Sequence, residues 1–134
     1  MKILALDLGD DWTGTAISDA MNLIATPYKT IATNFLEDFL EKTILQEKIE
    51  RIIVGYPKTM KGTLSDQTRK VVAHKELLEK KFPQVSWELF DERLSSKMAS
   101  GMKKTKNKEE KQKLHSIAAA IILETYLEYL RNIA

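Results

Sequence analysis

The sequence predicts an α/β domain, a mixed sheet of five strands covered by helices. Three observations lead there. Short apolar runs stop abruptly at acids or glycines, the hydrophobic period changes from strand-like to helical near residue 34, and strand and helix patterns alternate from there to the end. At 134 residues the chain has the length of one domain, and residues 1–134 read as a single unit without a linker, repeat or low-complexity tract.

"KILALDLG" is apolar at nearly every position from Ile3 to Leu8, the pattern of a short strand buried on both faces. "TGTAISDA" follows a tight Gly-Asp-Asp-Trp connection and reads as the return strand of an antiparallel hairpin. "LIATPYKTI" is a third strand, and Pro27 places it at an edge because proline cannot donate to a ladder. From Asn34, with Glu37 as its capping-box partner, Phe35, Leu36, Phe39, Leu40 and Ile44 recur at helical spacing. "RIIVG" is a β-branched run closed by Gly55 and Pro57. A second helix is expected from about Ser65 to Lys80, with Val71, Leu78 and Phe82 inward, and Pro83 ends it. "VSWELF" sets Val85, Trp87 and Leu89 against Ser86, Glu88 and Phe90, which predicts a half-exposed strand. After a loop holding Gly101, a last helix spans about Lys108 to Arg131, with Leu114, Ile117, Ala118 and Ile121 as its buried stripe. Helical crossovers between the later strands favour parallel pairing. Their order in the sheet does not follow from these patterns.

Composition narrows the function classes. Apolar residues are 43% of the chain, enough for a core, and charged residues are 30%. No apolar run approaches a membrane span, and the opening apolar stretch meets an acid at Asp7, so neither a membrane protein nor a signal peptide is expected. The absence of cysteine excludes disulfides and thiolate metal sites and fits a cytoplasmic location. A net charge of +2 does not announce nucleic acid, but seven lysines lie between Lys97 and Lys113 against Glu109 and Glu110. That run is either a solvated loop and helix start or an arm that attracts phosphates.

The chemistry sits where strands stop. Asp7 ends the first strand, Gly55 and Pro57 end the fourth, and Asp91 and Glu92 end the fifth. Ligands of open α/β sheets bind beyond the carboxyl ends of the strands. If the first, fourth and fifth strands are parallel neighbours, these acids converge, and carboxylates brought together need a cation to neutralise them. Mg²⁺ suits such a site, bound by one or two carboxylates together with substrate phosphate oxygens. Each acid also has a plain structural reading: Asp7 or Asp91 could cap a turn, and Glu92 could pair with Arg93.

"LALDLG", "IIVGYP", "DERLSS" and "IAAAIILETYL" resemble, in order and spacing over almost the whole chain, the YqgF/RuvX family of Holliday junction resolvases, also implicated in trimming pre-16S ribosomal RNA. The resemblance implies an RNase H-like fold with sheet order 3-2-1-4-5 and the second strand antiparallel to the rest. It implies a nuclease using Mg²⁺ or Mn²⁺ in the cytoplasm, with structured RNA or branched DNA as partner and a monomeric or weakly dimeric state. Asp7 takes the place of the first catalytic acid, and Glu92, beside Asp91, that of the second. Arg93 stands as a substrate or scaffold residue. Apart from the resemblance, Lys58 and Lys61 in the loop after Gly55, and Lys103, Lys104 and Lys106 in the lysine run, read either as phosphate contacts or as plain surface lysines. Where the family carries its third acid, this chain has His115. An imidazole suits Mn²⁺ or Zn²⁺ better than Mg²⁺; an interior histidine is the other reading. "GDDW" also departs from the family, which carries a small hydroxyl residue and basic residues there. Asp10 and Asp11 would repel a phosphate backbone or supply a replacement ligand, and Trp12 would stack on a base or pack on the sheet. His74 lacks a partner motif and reads as structural. The alternative to a nuclease is a catalytically degenerate nucleic-acid-binding or ribosome-assembly factor of the same fold. The phosphate loop of actin-like ATPases shares the opening motif, but those proteins close two such domains around a nucleotide and this chain has room for one.

Overall fold

The computed structural model describes residues 1–56, 66–91 and 108–133, and the surroundings of side chains in the last helix from residue 113 onward. Five strands, β1 (Lys2–Asp7), β2 (Trp12–Ser18), β3 (Ala25–Ala32), β4 (Ile49–Tyr56) and β5 (Ser86–Asp91), form one sheet in the order β3-β2-β1-β4-β5. β2 is antiparallel to β1 and β3, whereas β1, β4 and β5 are parallel neighbours. The helices are α1 (Leu36–Gln46), α2 (Asp66–Lys81) and α3 (Lys108–Ile133).

Side chains alternate across a strand, and in β1 both sets are apolar. Leu4 and Leu6, with Ile52 and Val54 of β4, bury against Leu40 of α1 and Leu78 of α2. Ile3 and Ala5, with Ile53, bury on the other face against Ala119, Ile122, Leu123 and Tyr126 of α3. A strand so covered reads as an unbroken apolar run, as "ILAL" does. β3 is an edge strand, and its pairing with β2 slips between Gly14↔Thr30 and Ala16↔Pro27, so β3 carries one extra residue. Thr15 stabilises that bulge: its Oγ1 donates to the Lys29 carbonyl at 2.6 Å and accepts from the Lys29 N–H at 2.9 Å. The bulge and Pro27 together leave this edge a poor template for a further strand.

Three local expectations are corrected. The buried stripe of α3 is not Leu114, Ile117, Ala118 and Ile121, which are half-buried, but Ala119, Ile122, Leu123, Tyr126 and Leu127. "IAAAIIL" is apolar on every side, so its period does not choose a face, and packing on the sheet does. The capping box at Asn34 does not form. The chain passes through a 3-10 turn at Thr33–Phe35, α1 begins at Leu36 without a side-chain cap, and Phe35 is 60% exposed. β5 is not open on one face: Trp87 and Leu89 pack on the α1/α2 side, while Phe90 is buried against α3, edge-on to Tyr126 at 5.5 Å.

A polar cluster anchors the middle of α3. The Tyr126 hydroxyl, in a fully buried residue, donates to Glu88 Oε2 and accepts from Arg51 Nη1, both at 2.6 Å. Burial, then the bond to Glu88, pushes the phenol up to about 12 from its ordinary value of 10. Above about pH 10 the unfolded chain therefore binds fewer protons than the native one, and stability falls as pH rises through the folded value. The thermal midpoint of the wild type is expected to drop more steeply between about pH 10 and 12 than that of Tyr126→Phe. Parallel profiles would remove Tyr126 as the source of alkaline sensitivity.

Candidate active site

The register fixes one edge of the sheet. Leu6 pairs with Val54, and Tyr56 pairs with Asp91, so β1, β4 and β5 finish together at Asp7, Tyr56 and Asp91. Asp7 continues the series Ile3, Ala5 and so lies on the α3 face. There α3 brings His115 Nδ1 to 4.0 Å from Asp7 Oδ2, with the side chains 40% and 23% exposed respectively. At that exposure His115 is not an interior histidine.

This approach depends on a residue whose purpose was not visible in the motif. Gly14 of β2 pairs with Asp7 across the hairpin. A Cβ at Gly14 would overlap the His115 carbonyl and lie 2.8 Å from Ser116 N. The helix backbone thus rests directly on the sheet where the glycine leaves space. Ala16 below it and Ala119 and Ala120 on the helix extend the close contact. "GTAIS" and "IAAA" are therefore two halves of one packing surface. Small residues in both were the available signal, but nothing local says that they meet.

The hairpin beyond Asp7 is pinned from the opposite face. Thr33 Oγ1 donates to the Gly9 carbonyl at 2.8 Å and lies 2.9 Å from Thr13 Oγ1, and the Thr33 N–H donates to the Asp11 carbonyl at 2.9 Å. These bonds draw the chain into the 3-10 turn and replace the expected cap at Asn34. Asp10 and Asp11 are exposed, and Asp10 Oδ2 lies 4.0 Å from Lys70 Nζ on α2, away from the His115 side.

Of the residues singled out in the sequence, Asp7 and His115 come together. Asp91 shares their edge two strands away, roughly 9.5 Å at about 4.8 Å per strand. It continues the series Trp87, Leu89, which packs on the α1/α2 side, so it shares the edge but not the face of Asp7. Glu92, Arg93, Lys58, Lys61, Lys103, Lys104 and Lys106 lie outside the described residues. His74 is half-buried on α2, where burial lowers its pKa. Among the described residues no three His, Asp or Glu side chains cluster as a metal site. Asp7 and His115 supply an oxygen and a nitrogen donor, a pair that fits a divalent cation on the Mn²⁺ side of the hard ions. No described helix is long and apolar enough to cross a membrane.

A sheet of order 3-2-1-4-5, with an acid ending its central strand beneath the last helix, defines the RNase H-like fold. The family described as RuvX: Holliday junction resolvase matches residues 1–129, and the chain belongs to that family. A relative from Phocaeicola vulgatus, named "Putative pre-16S rRNA nuclease", is 40% identical over 133 residues, 95% of each chain. One of the same name from Rubrobacter xylanophilus is 34% identical over 128 residues, covering 95% of this chain and 92% of its own. RuvC of T. thermophilus, solved in complex with a Holliday junction substrate, superposes with a TM-score of 0.59 at 11% identity, over 100% of this chain and 98% of RuvC. That likeness is one of fold.

Proposed function

We propose that this protein is a metal-dependent nuclease that hydrolyses phosphodiester bonds in structured nucleic acid, foremost at the 5′ end of pre-16S ribosomal RNA, with Holliday junctions as the second substrate class. The observation that carries this reading is Asp7 at the end of the central strand, facing His115 of the last helix across the edge where β5 also finishes. The names of the relatives support the substrate.

Asp7 and Glu92 hold the cation, Mg²⁺ or Mn²⁺; Asp91 ends its strand at the same edge but on the other face, so it is not a ligand of that ion. When bound, the ion lowers the pKa of a water and neutralises charge gathering on the phosphate. His115 stands at the third acid's place and biases the site towards Mn²⁺. Arg93, Lys58, Lys61, Lys103, Lys104 and Lys106 hold phosphates, which positions the strand without reading its sequence. The protein works in the cytoplasm as a monomer or weak homodimer.

The test is a cleavage assay on an end-labelled pre-16S fragment and a synthetic four-way junction, with either metal. Wild type is expected to cut the RNA faster in Mn²⁺ than in Mg²⁺, and His115→Asp to reverse that order. One observation favours a second reading, a degenerate binding factor: an imidazole in place of an acid. RNA binding without cleavage, and with no calorimetric signal for either ion, would establish that reading and overturn the nuclease.

A further inference from the structure

The hairpin that departs most from the family pattern also carries an aromatic residue on the active face. β2 pairs with β3 without a shift from Trp12 to Gly14 and with β1 without a shift from Gly14 to Ile17, so Trp12 lies on the same side as Gly14 and Ala16, under which α3 packs. Asp7 is directly opposite Gly14, and Trp12 is therefore its diagonal neighbour, at a backbone separation of about 7–8 Å that aromatic side chains span. Trp12 is half-exposed. It pairs with Ala32, after which the 3-10 turn carries the exposed Phe35 at the same end of the sheet.

The charges around Trp12 select the ligand. Asp10 and Asp11 precede it, both exposed, and Asp10 faces a lysine only at 4.0 Å. Two carboxylates repel a phosphate. They do not repel the neutral face of a base, and an indole offers such a face its best stacking partner among side chains. The hairpin is also held in shape before any ligand arrives, through the three contacts of Thr33, so little ordering opposes binding.

We propose that Trp12 is a stacking platform for an unpaired nucleobase next to the phosphate held at Asp7. Asp10 and Asp11 border this platform, Asp10 towards Lys70 on the α2 side, and offer no positive charge to anchor a phosphate at Trp12, so the nucleotide there presents its base. This assigns single-stranded or frayed nucleic acid to the β2 side of the site. The inference rests on the nuclease reading above for the position of the phosphate.

Trp12 can be read separately from the other tryptophan, Trp87, whose Nε1 donates to the Phe82 carbonyl far from the hairpin. In a Trp87→Phe protein, titration with a fluorescein-free single-stranded RNA octamer in Ca²⁺ is expected to quench the remaining emission, with the midpoint found by anisotropy of the labelled octamer. Trp12→Leu is expected to weaken binding about 5- to 150-fold, the equivalent of 1–3 kcal/mol for one stacked base. Trp12→Phe should recover most of it. RNA that binds by anisotropy without quenching, or that binds Trp12→Leu as tightly as wild type, overturns the platform and leaves the nuclease reading intact. An octamer that does not bind at all also overturns the platform, while the nuclease reading is decided separately by the cleavage assay on the pre-16S fragment and the junction. Quenching does not depend on a substitution at Trp12, so a Leu variant that fails to fold does not rescue the proposal.

Discussion

Asp7→Asn is expected to abolish metal-dependent cleavage, a loss of about 10³-fold or more, while the protein stays folded. The substitution keeps the size of the side chain and removes its charge. Asp7 sits at the last position of β1, 23% exposed, where the carboxylate faces His115 at 4.0 Å. In the proposed reading Asp7 holds the activating ion, and removal of even a single stabilising donor costs on the order of 10²–10³ in rate. The structural cost is small by comparison, because the apolar contacts that hold β1 come from Ile3, Leu4, Ala5 and Leu6, not from its end. Thermal unfolding should change little, within about 1 kcal/mol. Cleavage of pre-16S RNA and the midpoint of unfolding are measured on the same preparation. An Asp7→Asn protein that cuts as fast as wild type would remove this carboxylate from the chemistry.

The second large effect belongs to a residue with no chemistry of its own. Gly14→Ala places a methyl group inside the His115 carbonyl and 2.8 Å from Ser116 N. Both are backbone atoms, so no side chain can rotate away, and either α3 or β2 must shift. Overpacking of this kind costs typically about 1–3 kcal/mol. The loss of activity should exceed what that destabilisation explains, because His115 moves relative to Asp7, and a misplacement of about 1 Å can cost 10²-fold. Denaturant unfolding gives the stability, and cleavage well below the unfolding midpoint gives the rate of folded molecules. Wild-type values for both would mean that the helix does not rest on Gly14.

Much of the architecture was legible in residue order. The run "ILAL" could only be a strand buried on both faces. Pro27 marked β3 as an edge, and Pro83 closed α2. The acids at strand ends were visible because a carboxylate after a buried run is costly without a purpose. What misled were places where local preference met a stronger distant contact. Asn34 and Glu37 spell a capping box, but Thr33 is held by Gly9 and Asp11, and that restraint sets how the chain enters α1. Phe35, counted in the apolar repeat of that helix, is left exposed by the same turn.

Patterns of period two and 3.6 come from backbone sterics and hydrogen bonding within a few residues, and so the elements, their sequence and the candidate acids could all be found in the chain alone. The phase of α3 could not, because its middle is apolar all round and only the small patch of Gly14 and Ala16 tells it which way to turn. Nor could the faces of the two strand-end aspartates, which share an edge while pointing to different layers. The meeting of Asp7 with His115, from opposite ends of the chain, is a product of how a helix settles on a sheet. Such a contact depends on shape summed over many residues, and no short stretch of sequence contains it.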